Sequence, residues 1–145
     1  MIVADTGAVY ALIDSRDRNH RSLCTLFESD PDAWVLPWAI LPEVDYLVGK
    51  RLGARVEEAF LADLAEGRFS VAWGDEGDLV EARRICRRYR ALKLGLVDAV
   101  VMSVAQRLEA AAIATLDVRD FGAVKLKGEP KLYPRDLESA APERI

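Results

Sequence analysis

The segment LGLVDAVVMSVAQRLEAAAIATLD, residues 94–117, decides the reading of the fold because its apolar period changes part-way along. Val97, Val100, Val101, Val104 and Leu108 recur at helical spacing, whereas Ala112–Leu116 is an unbroken apolar run of strand length that ends on Asp117. A helix that feeds straight into a buried strand is half of a βαβ unit. Working outward, strand-like runs also stand at Met1–Ala4, Trp34–Leu36 and Phe69–Trp73, with Leu132 and Tyr133 as a short edge strand. Helical stripes fill the intervals. One begins near His20 (Leu23, Leu26, Phe27), and one spans Ile40 to Val48 with Pro42 in its first turn. Another carries Val56, Ala59, Phe60 and Leu64 and stops at Gly67, and a further one carries Ala82, Ile85, Cys86 and Tyr89. Gly49 and Gly53 read as punctuation between the second and third of these. The alternation predicts a mostly parallel sheet covered on both faces.

Length and composition agree with one such domain. The 145 residues suffice to bury roughly two-thirds of the unfolded chain's surface. Hydrophobic residues at 51% and charged residues at 30% exclude a disordered chain or a coiled coil. A net charge of −4 excludes a histone-like binder, so any nucleic-acid partner must meet a local basic face. Cys24 and Cys86 form no CxxC or zinc spacing and read as buried thiols of a cytosolic protein. The start, Met1 to Asp5, has no basic region before a long apolar stretch, and the nearly uncharged run Leu94–Ala105 is too short to cross a membrane. A soluble, cytoplasmic protein is expected, with residues 138–145 as a C-terminal tail.

In open parallel sheets ligands bind beyond the carboxyl ends of the strands. Asp5 leaves the first strand and Asp117 the strand at 112–116, while Glu43 sits in the first turn of the helix after the second strand. Asp98 is the only charge between Lys93 and Arg107. In so apolar a helix an isolated carboxylate costs several kcal/mol unless it is paired, hydrogen-bonded or bound to a cation. Individually these acids have plain structural explanations: Asp5 as a helix cap, Glu43 as a dipole partner, Asp98 in an arginine salt bridge. Together they make a rim of four carboxylates that hard divalent cations neutralise, and oxygen ligands select Mg²⁺ or Mn²⁺ over zinc.

The segments that carry these acids are Val3-Ala4-Asp5-Thr6, Leu41-Pro42-Glu43-Val44, Leu94-Gly95-Leu96-Val97-Asp98-Ala99 and Ala114-Thr115-Leu116-Asp117-Val118-Arg119-Asp120-Phe121. In order and spacing they resemble the four signature segments of PIN-domain ribonucleases, and within that superfamily the chain is most similar to the VapC-type toxins of toxin–antitoxin pairs. The resemblance covers residues 1 to about 137, taken as the nuclease domain. It departs at Val118-Arg119-Asp120, where a basic residue or histidine often precedes the aromatic. It implies a three-layer α/β/α PIN-like fold around a central, mostly parallel four- to five-stranded sheet, bound Mg²⁺ or Mn²⁺, endonucleolytic cleavage of RNA, and inhibition by a cognate antitoxin.

On that reading Asp5 and Asp98 are the core metal ligands, Glu43 is a ligand or orients water, and Asp117 holds a second, weaker ion. Hydrolysis by metal-activated water needs no side-chain nucleophile. Thr115, two residues before Asp117 on the same side of the strand, supports a ligand carboxylate or a metal water, and Thr6 does likewise or caps the first helix. His20, the sole histidine, is a surface residue at a helix start. Arg83, Arg84, Arg87, Arg88 and Arg90 form a solvated helix face, with an RNA-backbone track as the functional alternative. Trp34, Trp38 and Trp73 are core or interface residues and not base-stacking platforms. Apolar residues around Trp38, Leu41 and Leu47 are expected to receive an amphipathic antitoxin helix, and a homodimer is expected through helices elsewhere.

Competing functions fail on particular residues. A receiver-like signalling domain needs adjacent acids after its first strand, where Thr6-Gly7 stands, and a haloacid-dehalogenase-type phosphatase needs an aspartate at Gly7. A PIN fold that only binds RNA, or a housekeeping nuclease outside any toxin pair, remains the alternative.

Overall fold

The computed structural model describes residues 1–140. Five strands, β1 (Ile2–Ala4), β2 (Trp34–Pro37), β3 (Ser70–Ala72), β4 (Ala112–Ala114) and β5 (Lys131–Tyr133), form one sheet in the order β3-β2-β1-β4-β5. Every pairing is parallel. Among the described residues seven α-helices connect them: α1 (Thr6–Ile13), α2 (His20–Ser29), α3 (Leu41–Leu52), α4 (Ala54–Ala65), α5 (Glu76–Arg88), α6 (Leu96–Arg107) and α7 (Val118–Ala123). The chain steps outward from β1 to β2 to β3, then returns across the sheet to β4 and β5. Because parallel crossovers are right-handed, the first two place α1–α4 on one face, and the later ones place α5, α6 and α7 on the other. The expected three-layer α/β/α architecture is the one observed, with five strands.

The central strands are buried on both faces, which is why β1, β2 and β4 consist almost entirely of Val, Ile, Leu, Ala and Trp. α6 is the most deeply placed helix: Ala99 to Ala105 are all buried, a length no amphipathic surface helix shows. On the face that carries α1–α4, Leu23 of α2 and Val44 and Val48 of α3 are fully buried. Trp34 is buried with its ring edge-on to Phe27, centroids 5.4 Å apart.

The boundary glycines divide into two kinds. Gly53, at φ +94°, ends α3 in a backbone conformation that L side chains rarely adopt. Gly49 does not punctuate: α3 runs through it to Leu52. A Cβ at 49 would lie 3.0 Å from a carboxylate oxygen of Glu57 on α4, so the missing side chain lets the two helices approach closely. Other expectations also need correction. Trp73 is 76% exposed and lies beyond β3, so of the two roles expected for it the core is excluded and an interface is left. Trp38, Leu41 and Leu47 are half-buried against the core, whereas Tyr46, Leu79 and Val80 are exposed. Cys24 and Cys86 are free thiols, half-buried and not fully enclosed. From residue 141 the predicted tail lies outside the described residues, and Arg135–Ala140 form a 3-10 segment. No helix among the described residues is long and apolar enough to cross a membrane.

Candidate metal centre and its relatives

The strand order reverses between β1 and β4, so the loops leaving those two strands splay apart and open a crevice at the carboxyl edge of the sheet. Asp5 leaves β1 on one side of that crevice, its backbone N–H still tied to the Ala114 carbonyl at 2.8 Å. Its carboxylate is 7% exposed and accepts two hydrogen bonds, from the Thr6 N–H (2.8 Å) and the Thr115 hydroxyl (3.0 Å). Asp5 therefore does cap α1, and the same carboxylate faces the site. Burial pushes its acid above the ordinary value; the Thr6 and Thr115 hydrogen bonds oppose that shift, and the charges of Glu43 and Asp117 add to it.

Thr115 is fully buried and accepts a 3.0 Å hydrogen bond from the Asp117 N–H while donating to Asp5. One hydroxyl thus fixes both acids that leave the central strands. Asp117 caps α7, accepting from the Asp120 N–H at 3.0 Å. Asp98 enters from the first turn of α6. It forms no ion pair among the described residues, so the salt-bridge explanation for it does not hold. Instead, desolvation, reinforced by the charges of Asp5, Asp117, Asp120 and Glu43, pushes its acid up to about 6.

Asp98, Asp117 and Asp120 bring carboxylate oxygens within 4.8 Å of one another. Asp120 is not among the ligands expected from the sequence; it lies three residues after the cap Asp117, where the first turn of a helix returns a side chain to the same end. Glu43 is exposed in the first turn of α3. It stands farther out than the three clustered acids, and its charge acts on Asp5 and Asp98 from the rim. Thr6 is buried, and its hydroxyl oxygen has no hydrogen-bond partner among the described residues. Clustered carboxylate oxygens that form no ion pair among the described residues, together with that orphaned hydroxyl, fit a hydrated divalent cation.

The remaining candidates lie elsewhere. His20 is half-buried at the start of α2, with Nδ1 2.7 Å from the Ala11 carbonyl oxygen. The five arginines from Arg83 to Arg90 are exposed along and just beyond α5, and Arg84 pairs with Glu81 (2.9 Å).

The PIN-domain family model matches residues 2–126. This chain belongs to the PIN-domain family. Ribonuclease VapC26 of Mycobacterium tuberculosis is 32% identical over 124 residues, 86% of this chain and 92% of that protein. Among solved structures, the M. tuberculosis toxin VapC20, which cleaves the sarcin–ricin loop, superposes with a TM-score of 0.77 at 23% identity, covering 88% of this chain and 98% of that one. VapBC2 of Rickettsia felis, solved on a promoter DNA fragment, gives 0.67 at 16% identity, covering 91% and 97%. These structural likenesses establish the shared fold. The sequence relationship places the chain with the VapC ribonucleases of the PIN family.

Proposed function

We propose that this PIN-domain protein is a cytoplasmic endoribonuclease, the toxin of a toxin–antitoxin pair, and that Asp5, Glu43, Asp98 and Asp117, joined by Asp120, hold Mg²⁺ or Mn²⁺. The observation that carries this reading is the juxtaposition of carboxylate oxygens of Asp98, Asp117 and Asp120 within 4.8 Å at the switch point of the sheet, none of them in an ion pair among the described residues. A bound divalent cation supplies Lewis acidity towards a phosphodiester and lowers the pKa of water.

The chain's own groups perform the remaining tasks. Thr115 holds Asp5 and the start of the Asp117 loop in one register, so the ligands are oriented before a cation arrives. Thr6 Oγ1, buried beside Asp5 and without a hydrogen-bond partner among the described residues, keeps a valence free for a bound water. Glu43, exposed at the rim, is placed to orient an attacking water or take its proton. The partner follows from the same electrostatics: an antitoxin arginine seated among these acids replaces the cation and blocks catalysis.

Pure protein incubated with labelled RNA should cleave it in Mg²⁺ or Mn²⁺, stop with EDTA and recover on adding either ion. Folded protein that cleaves no RNA in either ion overturns the reading. Inducing the chain alone should arrest growth, and co-expressing its upstream neighbour should restore it. Normal growth of cells that accumulate intact protein would remove the toxin role and leave a housekeeping nuclease.

A further inference from the structure

Thr115 has a second neighbourhood. A cleft of about 430 Å³ borders it, walled by Arg18 and Asn19 of the α1–α2 loop, by Leu116 and Val118, and by Pro134 and Arg135 after β5. We infer that this cleft is a subsite for one unstacked nucleotide of single-stranded RNA next to the cleaved phosphodiester, with Arg18 as its phosphate contact; the inference rests on the nuclease reading above.

Size and position come first. The volume lies in the range of small-ligand pockets and accommodates one nucleotide. Thr115 touches both the cleft and Asp5, and Val118, 42% exposed, opens α7 next to Asp117. A strand that lays a phosphodiester over the acids therefore continues into the cleft.

The lining is complementary to a nucleotide. Leu116, Val118 and Pro134 offer an apolar floor for a base or sugar, and the two guanidiniums stand at the walls. Arg18 is exposed and forms no ion pair among the described residues, so its full charge faces solvent. Arg135 is held instead. Its Nε and Nη2 donate to Asp136 at 2.8 and 3.2 Å, while Asp136 accepts from the Leu132 N–H of β5 at 2.7 Å. Nη1 stays outside that pair and lies 3.3 Å from where a Cβ on Gly122 would be. Arg135 is thus already paired with Asp136, and Arg18 supplies the attraction. The chain needs such a charge here, because its acids and its net charge of −4 repel a polyanion. A concave, single-nucleotide site suits an unstacked strand and not an A-form duplex.

The test uses Asp98→Asn protein, in which cleavage is expected to be suppressed, and a short 5′-fluorescein-labelled single-stranded RNA of mixed sequence, followed by anisotropy against salt concentration. Adding Arg18→Ala should weaken binding several-fold and reduce the slope of log K against log salt by about 0.7, one phosphate contact on a single strand. Arg135→Ala should weaken binding less, and Arg55→Ala, an exposed arginine on α4, not at all. A blunt-ended RNA duplex should bind equally with and without Arg18. Unchanged affinity and slope for Arg18→Ala overturn the proposal, as does no measurable binding by the parent at low salt, or an equal loss on the duplex. If wild-type protein fails to cut RNA while the Arg18 effect persists, the nuclease reading falls and the subsite stands.

Discussion

Asp98 and Asp78 are both aspartates in the first turn of a helix on the same face of the sheet, and their surroundings are opposite. Asp78 is 2% exposed, accepts from Arg107 Nε and Nη2 at 2.8 and 3.1 Å, and closes a capping box with Asp75 at the start of α5. Asp98 forms no ion pair among the described residues, and desolvation with the charges of Asp5, Asp117, Asp120 and Glu43 raises its own acid to about 6. A carboxylate that the protein neutralises itself is part of the scaffold. One that the protein desolvates among like charges, with no cation of its own, is set up for a counter-ion from solution. Burial alone would rank Asp78 above Asp98 as a functional residue, so partner chemistry separates them.

The contrast breaks most visibly in activity. Asp98→Asn should lower RNA cleavage by about 10³-fold, on the scale of removing a group that stabilises transition-state charge, while its melting temperature in EDTA stays equal or rises. A clear drop in that melting temperature would make Asp98 a scaffold residue like Asp78. Asp78→Asn should do the converse, costing about 2–3 kcal/mol of stability in chemical denaturation, because it unpairs Arg107 and weakens the α5 cap. Cleavage per folded molecule should be unchanged. Thr115→Val, which unties Asp5 and the Asp117 loop together, should weaken metal affinity by about 10–100-fold with little change in fold, as read by Mn²⁺ titration.

The smallest effect concerns pH. Asp98 titrates near 6 when folded and about 3.8 when unfolded, so the folded state binds that proton more tightly. Its contribution to stability is present below about pH 4 and lost as pH rises through 6, by about 1–2 kcal/mol after allowing for solvent screening of a half-buried group. The check is the stability difference between wild type and Asp98→Asn in EDTA at several pH values. That difference should grow between about pH 4 and 7 in favour of the variant; a flat difference would place Asp98 in an unperturbed environment.

How much of this was legible in the sequence depends on distance along the chain. Asp98 was legible because a single charge interrupts a helix that is otherwise apolar all round. Asp5, Asp117 and Thr115 were legible because strand ends in a parallel sheet converge on one edge, and the α/β alternation predicts the sheet. Asp120 was not, since α7 has six residues, too few to show a helical period. Gly49 reads as a breaker because nothing local says that α4 packs against it. Asp78 and Arg107 sit 29 residues apart, and Arg18 and Arg135 meet across a cleft between loops from opposite ends of the chain. Only the three-dimensional arrangement reveals such pairs.

The most direct measurement titrates metal-free wild-type protein with Mn²⁺ and follows melting temperature and RNA cleavage in the same samples. Melting temperature and activity should rise together and saturate over the same Mn²⁺ range, and Asp98→Asn should show neither rise at those concentrations. Cleavage that persists in EDTA, or an equal Mn²⁺-dependent stabilisation of Asp98→Asn, would contradict a catalytic cation held by these acids.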